Sequence, residues 1–137
     1  MIRVVLDTNV LVSANLKAGG LEGMVVALGF NRKIQLCASR AILDEYERVL
    51  YYPRLKFDPN EVARFLAALR AVTVVVKPRR ILTVSRDEPD NRFLKCAETA
   101  RAAFLLAGNK RHFPNRWKTT AVVNGREFVG QIGQTVL

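Results

Sequence analysis

Three acidic residues are the side chains best placed to do chemistry in this sequence. Asp7 follows a short apolar run, Glu45 lies in a stretch with helical spacing, and Asp90 stands where another helix begins. Grouped carboxylates bind hard divalent cations such as Mg²⁺ or Mn²⁺, and a cation held in this way can generate a nucleophile for attack on a phosphodiester bond. The sequence therefore predicts a Mg²⁺ (or Mn²⁺) site, provided that the fold brings the three carboxylates together.

Each of these carboxylates also has a simpler explanation. Asp7 and Asp90 could cap helices, because Asp is a favoured residue at the position before a first helical turn. Glu45 belongs with Asp44 and Glu47 to an acidic stretch that a solvated helix face would explain. A carboxylate buried without a partner after an apolar run would be costly, and this consideration favours a functional role for Asp7.

Other polar and basic residues accompany the three acids. The auxiliary candidates, at strand ends or beside the helix start, are Asn9, Asp87, Asn91 and Asn109. The candidates for binding the phosphates of a nucleic acid are Lys110, Arg111, Arg116 and Lys118. Near them, Trp117 and Phe113 could stack on bases or simply pack, and His112 could act as a base or lie on the surface.

The charge of the chain favours a polyanionic partner. Its 137 residues carry 22 basic and 12 acidic side chains, a net charge of +10. Residues 1–60 hold 8 basic and 6 acidic residues, whereas residues 61–137 hold 14 and 6. Nucleic acid is the commonest partner of such a basic half, although a merely soluble basic surface would give the same count.

Strand-like and helix-like segments alternate along the whole sequence. Short apolar runs at residues 4–6, 34–38, 72–76, 104–106 and 121–123 predict five strands. Helical spacing or helix-start residues occur at 21–30, 42–50, from Asp58-Pro59, from Pro89-Asp90 and after Asn124-Gly125. This alternation predicts one α/β domain over residues 1–137, a sandwich with a mostly parallel sheet of about five strands. Polar residues at the carboxyl ends of its strands would gather at one edge.

The remaining composition excludes several protein classes. Two cysteines, Cys37 and Cys96, in apolar surroundings indicate buried thiols, and one His without a Cys-x-x-Cys pair excludes the usual zinc sites. The first residues do not have the pattern of a signal peptide, and no apolar run approaches the length of a membrane span. We therefore expect a cytoplasmic protein.

Four stretches of the sequence, in order, resemble the motifs of the PIN domain family. They are Val4–Ser13, Ser39–Tyr46, Asp87–Ala97 and Leu105–Pro114, and together they span almost the whole chain. The closest resemblance is to bacterial PIN proteins described as toxin components of toxin–antitoxin systems, the VapC-like ribonucleases. It implies a three-layer α/β/α sandwich and a metal-dependent endoribonuclease that cleaves single-stranded RNA. It also implies a homodimer or higher homo-oligomer and, for a toxin, an antitoxin protein as partner.

Residue by residue, the resemblance assigns Asp7, Glu45 and Asp90 to the acidic metal-binding positions of the family, and Asn9 to its polar neighbour. The sequence departs from the family at Ala103 and at Asn109, where many relatives carry Asp. The leading hypothesis is an endoribonuclease, and these departures favour the alternative of a catalytically weak or inactive module that binds RNA or a partner. A phosphatase with Asp7 as its nucleophile is disfavoured, because the usual second Asp two residues on is Asn9 here.

Overall fold

The computed structural model describes residues 1–78 and 88–136, and only the backbone of residues 88–91 and 133–136. The strands are β1 (Arg3–Leu6), β2 (Gln35–Ala38), β3 (Thr73–Val75), β4 (Phe104–Leu106), β5 (Arg116–Trp117) and β6 (Thr120–Val123). The helices are α1 (Thr8–Leu16), α2 (Leu21–Phe30), α3 (Arg40–Leu50), α4 (Pro59–Val72), α5 (Glu88–Ala100) and α6 (Gly125–Val136). Two 3₁₀ turns lie at Pro53–Leu55 and Lys110–His112.

The described strands form one six-stranded sheet in the order β3-β2-β1-β4-β6-β5. All neighbours are parallel except β5 and β6, which pair as a short antiparallel hairpin. The order runs outward from β1 in both directions, and right-handed crossovers then place helices on both faces of the sheet. The predicted α/β sandwich with a mostly parallel sheet is confirmed. The sixth strand arises from the two-residue β5, which is too short to give a periodic signal.

β1 lies at the centre of the sheet because its residues are apolar on both faces. Val4, Val5 and Leu6 are buried, and Val4 pairs with Leu36 on one side and Phe104 on the other. Continuous apolar runs of this kind suit strands that are covered by helices on both sides. The carboxyl end of β1, followed by Asp7, is therefore held by two neighbouring strands.

Two of the helices begin at the caps that the sequence indicates. The Ser39 side chain accepts a hydrogen bond from the Ile42 amide at 3.2 Å, and the Asp58 carboxylate accepts one from the Asn60 amide at 2.9 Å. Each bond satisfies an amide of the first turn that has no partner within the helix. The cap at Ser39 sets where α3 begins and thereby which of its acidic residues face inward.

Some details differ from the prediction. Residues 8–16 form α1, which the sequence pattern did not indicate, and Val72 ends α4 instead of starting a strand. Cys37 and Cys96 are buried free thiols, as predicted. Among the described residues no single helix is long and apolar enough to cross a membrane; α1 and α2 together would meet that test but are bent by 106°. One domain over residues 1–137 stays a prediction.

Candidate active site

Asp7 stands at the junction of β1 and α1. Its amide donates to the Leu106 carbonyl of β4 at 2.8 Å, and its own carbonyl accepts from the Val10 amide at 3.0 Å. Asp7 occupies the position that caps α1, yet its side chain makes no capping hydrogen bond. Helix capping therefore does not explain this carboxylate, which is half-buried and lines a cleft.

Glu45 differs from the acidic residues beside it on α3. The side chain of Glu45 is 11% exposed, whereas those of Asp44 and Glu47 are 66% and 52% exposed. A solvated helix face accounts for Asp44 and Glu47, but it is the wrong explanation for Glu45. A carboxylate that is buried to this extent is stable only with hydrogen bonds or opposite charge around it.

Both carboxylate oxygens of Glu45 have partners. The Thr8 hydroxyl of α1 donates to Oε2, and Nη1 of Arg92, on α5, donates to Oε1 at 3.1 Å. The side chains of Arg92 and Glu45 are 23% and 11% exposed, so solvent screens this ion pair only weakly. Nε of Arg92 is buried and has no hydrogen-bond partner among the residues that the structure describes. Three helices thus fix the position of the Glu45 carboxylate.

Tyr46 lies beneath the two carboxylates and is also fixed. It is buried, and its hydroxyl donates to the carbonyl of Leu6, the residue before Asp7. Burial raises the pKa of Tyr46 well above its ordinary value, and the nearby Cys96 sulfur and the carboxylates of Asp7 and Glu45 raise it further. The phenol therefore remains a neutral donor that ties α3 to the end of β1.

The two carboxylates open into one cleft of about 280 Å³. The start of α1 contributes Asp7, Thr8 and Asn9, while α3 contributes Glu45 and Val49. The remaining described lining consists of Tyr52, Arg54, Phe93, Asn109, His112 and Phe113. The structure thus brings together Asp7, Asn9, Glu45 and Asn109, as the alternation of strands and helices predicts for polar residues at the ends of parallel strands.

The acidic segment before β4 is described only in part. Asp87 lies outside the described residues. Asp90 and Asn91 are the third and fourth residues of α5, which begins at Glu88, so Asp90 is not the residue that caps this helix. Phe93, on the same first turns, lines the cleft. The backbone therefore places the first turn of α5 beside the site.

The four basic residues chosen from the sequence do not line the described wall of the cleft. Lys110 pairs with Glu127 at 3.0 Å, and Arg111 binds the Asn109 side chain through its amide at 3.2 Å. Arg116 is exposed on β5. Lys118 has its ammonium group 5.1 Å from the centre of the Trp117 ring.

Trp117 and Phe113 both have packing roles. The Trp117 indole donates to Glu98 at 3.1 Å, and its ring packs against the core. Phe113 is 9% exposed and meets the ring of Phe93 edge to face, with centroids 6.4 Å apart. The contacts favour packing over base stacking for both residues.

The sequence analysis does not indicate two residues that line the cleft, Tyr52 and Arg54. They follow α3 in a segment that carries no motif, and the only signal for them is their basic and aromatic character after the helix that bears Glu45.

The oxygen donors of the cleft fit one hard divalent cation. Mg²⁺ is commonly held by one or two carboxylates, and waters and substrate phosphates complete its shell. Asp7 and Glu45 supply two carboxylates, and Asn9 and Asn109 supply amide groups nearby. Within the described part of the chain, no group of three or more His, Cys, Asp or Glu side chains could hold a metal. Asp90, on the first turn of α5, is the candidate for a third acidic ligand.

One departure from the family has no bearing on this cleft. Ala103 precedes β4, where its amide donates to the Arg3 carbonyl at 2.9 Å, so it lies level with the first residue of β1. Asp7 comes four residues after Arg3, which places it about 13 Å along the strand from the level of Ala103, at a rise of about 3.3 Å per residue. The absence of an Asp at Ala103 therefore removes no carboxylate from this cleft. The departure at Asn109 remains relevant, because Asn109 lines the cleft.

Comparisons with known proteins agree with this geometry. The sequence matches the PIN domain family over residues 3–111, which include β1 through β4 and all three acidic candidates. The chain is also similar to the uncharacterized protein MJ1680 of Methanocaldococcus jannaschii. The two are 34% identical over 112 residues, which are 80% of this chain and 72% of that protein.

Proposed function

The chain belongs to the PIN domain family, whose members are typically metal-dependent nucleases, and from this premise we propose that it is an endoribonuclease that cleaves single-stranded RNA. The observation that carries the proposal is the convergence of Asp7 and Glu45 on one cleft from β1 and α3. Asp7 makes no capping hydrogen bond, so helix capping does not account for its place at this cleft. The basic second half of the chain supports a polyanionic substrate.

The residues of such a site would have different roles. Asp7, Glu45 and Asp90 would hold Mg²⁺ or Mn²⁺, and Asn9 and Asn109 would orient the bound water and phosphate. When bound, the cation supplies a water nucleophile at neutral pH and stabilises charge on the phosphate oxygens. Thr8 and Arg92 keep the Glu45 carboxylate in one orientation, since they occupy its two oxygens.

The test is cleavage of a labelled single-stranded RNA in Mn²⁺ and in EDTA. We expect the wild type to cleave only with the metal, and Asp7→Asn to abolish cleavage while the protein stays folded. Asp44→Asn is the matched control, because this exposed carboxylate of α3 faces solvent and should keep full activity. Full activity of Asp7→Asn, or cleavage in EDTA, would contradict the proposal.

An RNA- or partner-binding module without catalysis is the second candidate, and Asn109 is the observation that favours it. Where many relatives carry an Asp, this amide lines the cleft and accepts a hydrogen bond from the Arg111 amide. A neutral residue there leaves fewer charges to hold a cation. Calorimetric titration with Mn²⁺ separates the two candidates, because a pure binding module has no need of the metal. A variant Asn109→Asp that gains both metal affinity and cleavage would identify this position as the cause.

We further propose that the nuclease is the toxin of a toxin–antitoxin pair, acts in the cytoplasm and forms a homodimer or higher homo-oligomer. The basis is the resemblance of its motifs to bacterial toxin components. An antitoxin would block the carboxylates, and an inserted Arg would suit them because it can bind a carboxylate in two places. Growth arrest on expression of the wild type but not of Asp7→Asn tests the toxin role. Light scattering after size-exclusion chromatography tests the oligomeric state.

A further inference from the structure

The segment that follows α3 has one well-defined conformation. Three of its backbone amides donate to backbone carbonyls. The Tyr52 amide donates to the Val49 carbonyl and the Leu55 amide to the Tyr52 carbonyl, both at 3.0 Å. The Lys56 amide donates to the Pro53 carbonyl at 3.1 Å. Pro53 begins the 3₁₀ turn and fixes its φ angle near the value that the turn needs. The backbone of this segment is therefore ordered before any ligand arrives.

Tyr52 and Arg54, from this segment, share the cleft with the carboxylates. Glu45 and Val49 are four residues apart on α3 and face the cleft together, and Tyr52 follows one turn later. The guanidinium of Arg54 lies 5.4 Å from the centre of the Tyr52 ring. Tyr52 is half-buried, and Arg54 is exposed and forms no ion pair among the described residues. The cleft thus carries, beside its acidic end, an aromatic ring with the Arg54 guanidinium over one of its faces.

We propose that Tyr52 and Arg54 form a nucleotide subsite, in which an unpaired RNA base stacks on Tyr52 and Arg54 binds an adjoining phosphate. The inference rests on the proposed function and names what the cleft would recognise. Unstacked bases bind to aromatic and guanidinium planes, and this mode suits single strands because paired bases cannot present a face. Lys110, Arg111, Arg116 and Lys118 do not line the described cleft wall, whereas Tyr52 and Arg54 do.

The experiment measures binding without cleavage. Fluorescence anisotropy of a short labelled single-stranded RNA is recorded in EDTA, so that its result does not depend on catalysis. We expect Tyr52→Ala to weaken binding roughly tenfold, since stacking contributes about that factor per base, and Tyr52→Phe to keep the affinity. Arg54→Ala should weaken binding and reduce the slope of log K against log salt by about 0.7, the contribution of one phosphate contact in a single strand.

Two matched controls lie on the same part of the chain. Tyr51→Ala and Arg48→Ala change exposed residues that do not line the described cleft, and neither should alter affinity or salt slope. Because Arg54 is exposed, we expect Arg54→Ala to fold normally, so a loss of binding in this variant does not come from a folding defect. Unchanged affinity in both Tyr52→Ala and Arg54→Ala, or equally tight binding of duplex RNA, would overturn the subsite. Binding that depends on Tyr52 in a protein that cleaves nothing would support the subsite and reject the nuclease.

Discussion

The guanidinium of Arg92 lies 3.1 Å from the carboxylate of Glu45 and joins α5 to α3 at the acidic end of the cleft. A second Arg–Glu pair joins Arg70 of α4 to Glu47 of α3 and is shorter, at 2.7 Å. Its side chains are 46% and 52% exposed, against 23% and 11% for Arg92 and Glu45. Exposure and not distance decides how much each ion pair contributes to the free energy of unfolding, because water screens the shorter pair.

Arg92→Met should therefore destabilise the protein far more than Arg70→Met. The first change leaves the buried Glu45 charge without its partner and should lower the free energy of unfolding by about 3 kcal/mol. The second should cost less than about 1 kcal/mol. Urea denaturation of the two variants makes the comparison. The double variant Arg92→Met/Glu45→Gln should regain much of the loss, and equal costs for the two single variants would contradict this account.

Removal of the Thr8 hydroxyl should affect both stability and cleavage. Thr8 is 4% exposed and donates to Glu45, so Thr8→Val leaves one buried carboxylate oxygen without a donor. We expect a loss of about 1–3 kcal/mol in the free energy of unfolding and a fall in metal-dependent cleavage. Thr8→Ser keeps the donor and should retain most of both. Normal cleavage by Thr8→Val would show that this bond does not position Glu45.

Tyr46→Phe should destabilise the end of β1 without creating a large cavity in the core. The change removes the donor to the Leu6 carbonyl and keeps the ring, so the expected cost is about 1–2 kcal/mol. Because Leu6 precedes Asp7, Mn²⁺ affinity should also fall. Titration calorimetry measures the affinity, and the exposed variant Tyr51→Phe serves as control. Unchanged affinity in a destabilised Tyr46→Phe would limit this residue to folding.

Stability should decline at alkaline pH. Burial raises the pKa of Cys96 from 9.0 to about 12, so the native state keeps a proton that the unfolded chain loses. The stabilisation is complete below pH 9.0 and is lost as the pH rises towards about 12, at a rate on the order of 1 kcal/mol per pH unit. Tyr46 acts in the same direction at higher pH.

Denaturation midpoints across this range check the sign and the source of the effect. Cys96→Ala should flatten the decline relative to the wild type, because it removes the thiol whose pKa differs between the two states. A stability that is constant above pH 9.0, or an unchanged slope in Cys96→Ala, would contradict the prediction.

The sheet could be predicted largely because four of its described strands, β1, β2, β4 and β6, are short apolar runs that are mostly buried. α1 was missed, since its sequence Thr8–Leu16 mixes β-branched and polar residues and has no single apolar face. Among the acids of α3, Asp44, Glu45 and Glu47 look alike in the sequence. Only the start of the helix at Ser39 and its packing against α1 and α5 decide that Glu45 faces inward.

The rest of the cleft depends on tertiary packing that the sequence pattern does not contain. Tyr52 and Arg54 carry no motif, and they reach the carboxylates because Pro53 turns the chain directly after α3. Ala103 shows the converse, since its motif position indicated the site although it lies at the other end of β4.

The central place of β1 also sets the order in which the cleft can be completed during synthesis. The first strand made lies between β2 and β4, and the amide of Asp7 bonds to the carbonyl of Leu106. One side of β1 therefore stays open on the ribosome until residue 106 has emerged from the exit tunnel. A nascent chain that halts before β4 holds Asp7 without this support. The cleft at the end of β1 is therefore complete only in a chain that extends beyond β4.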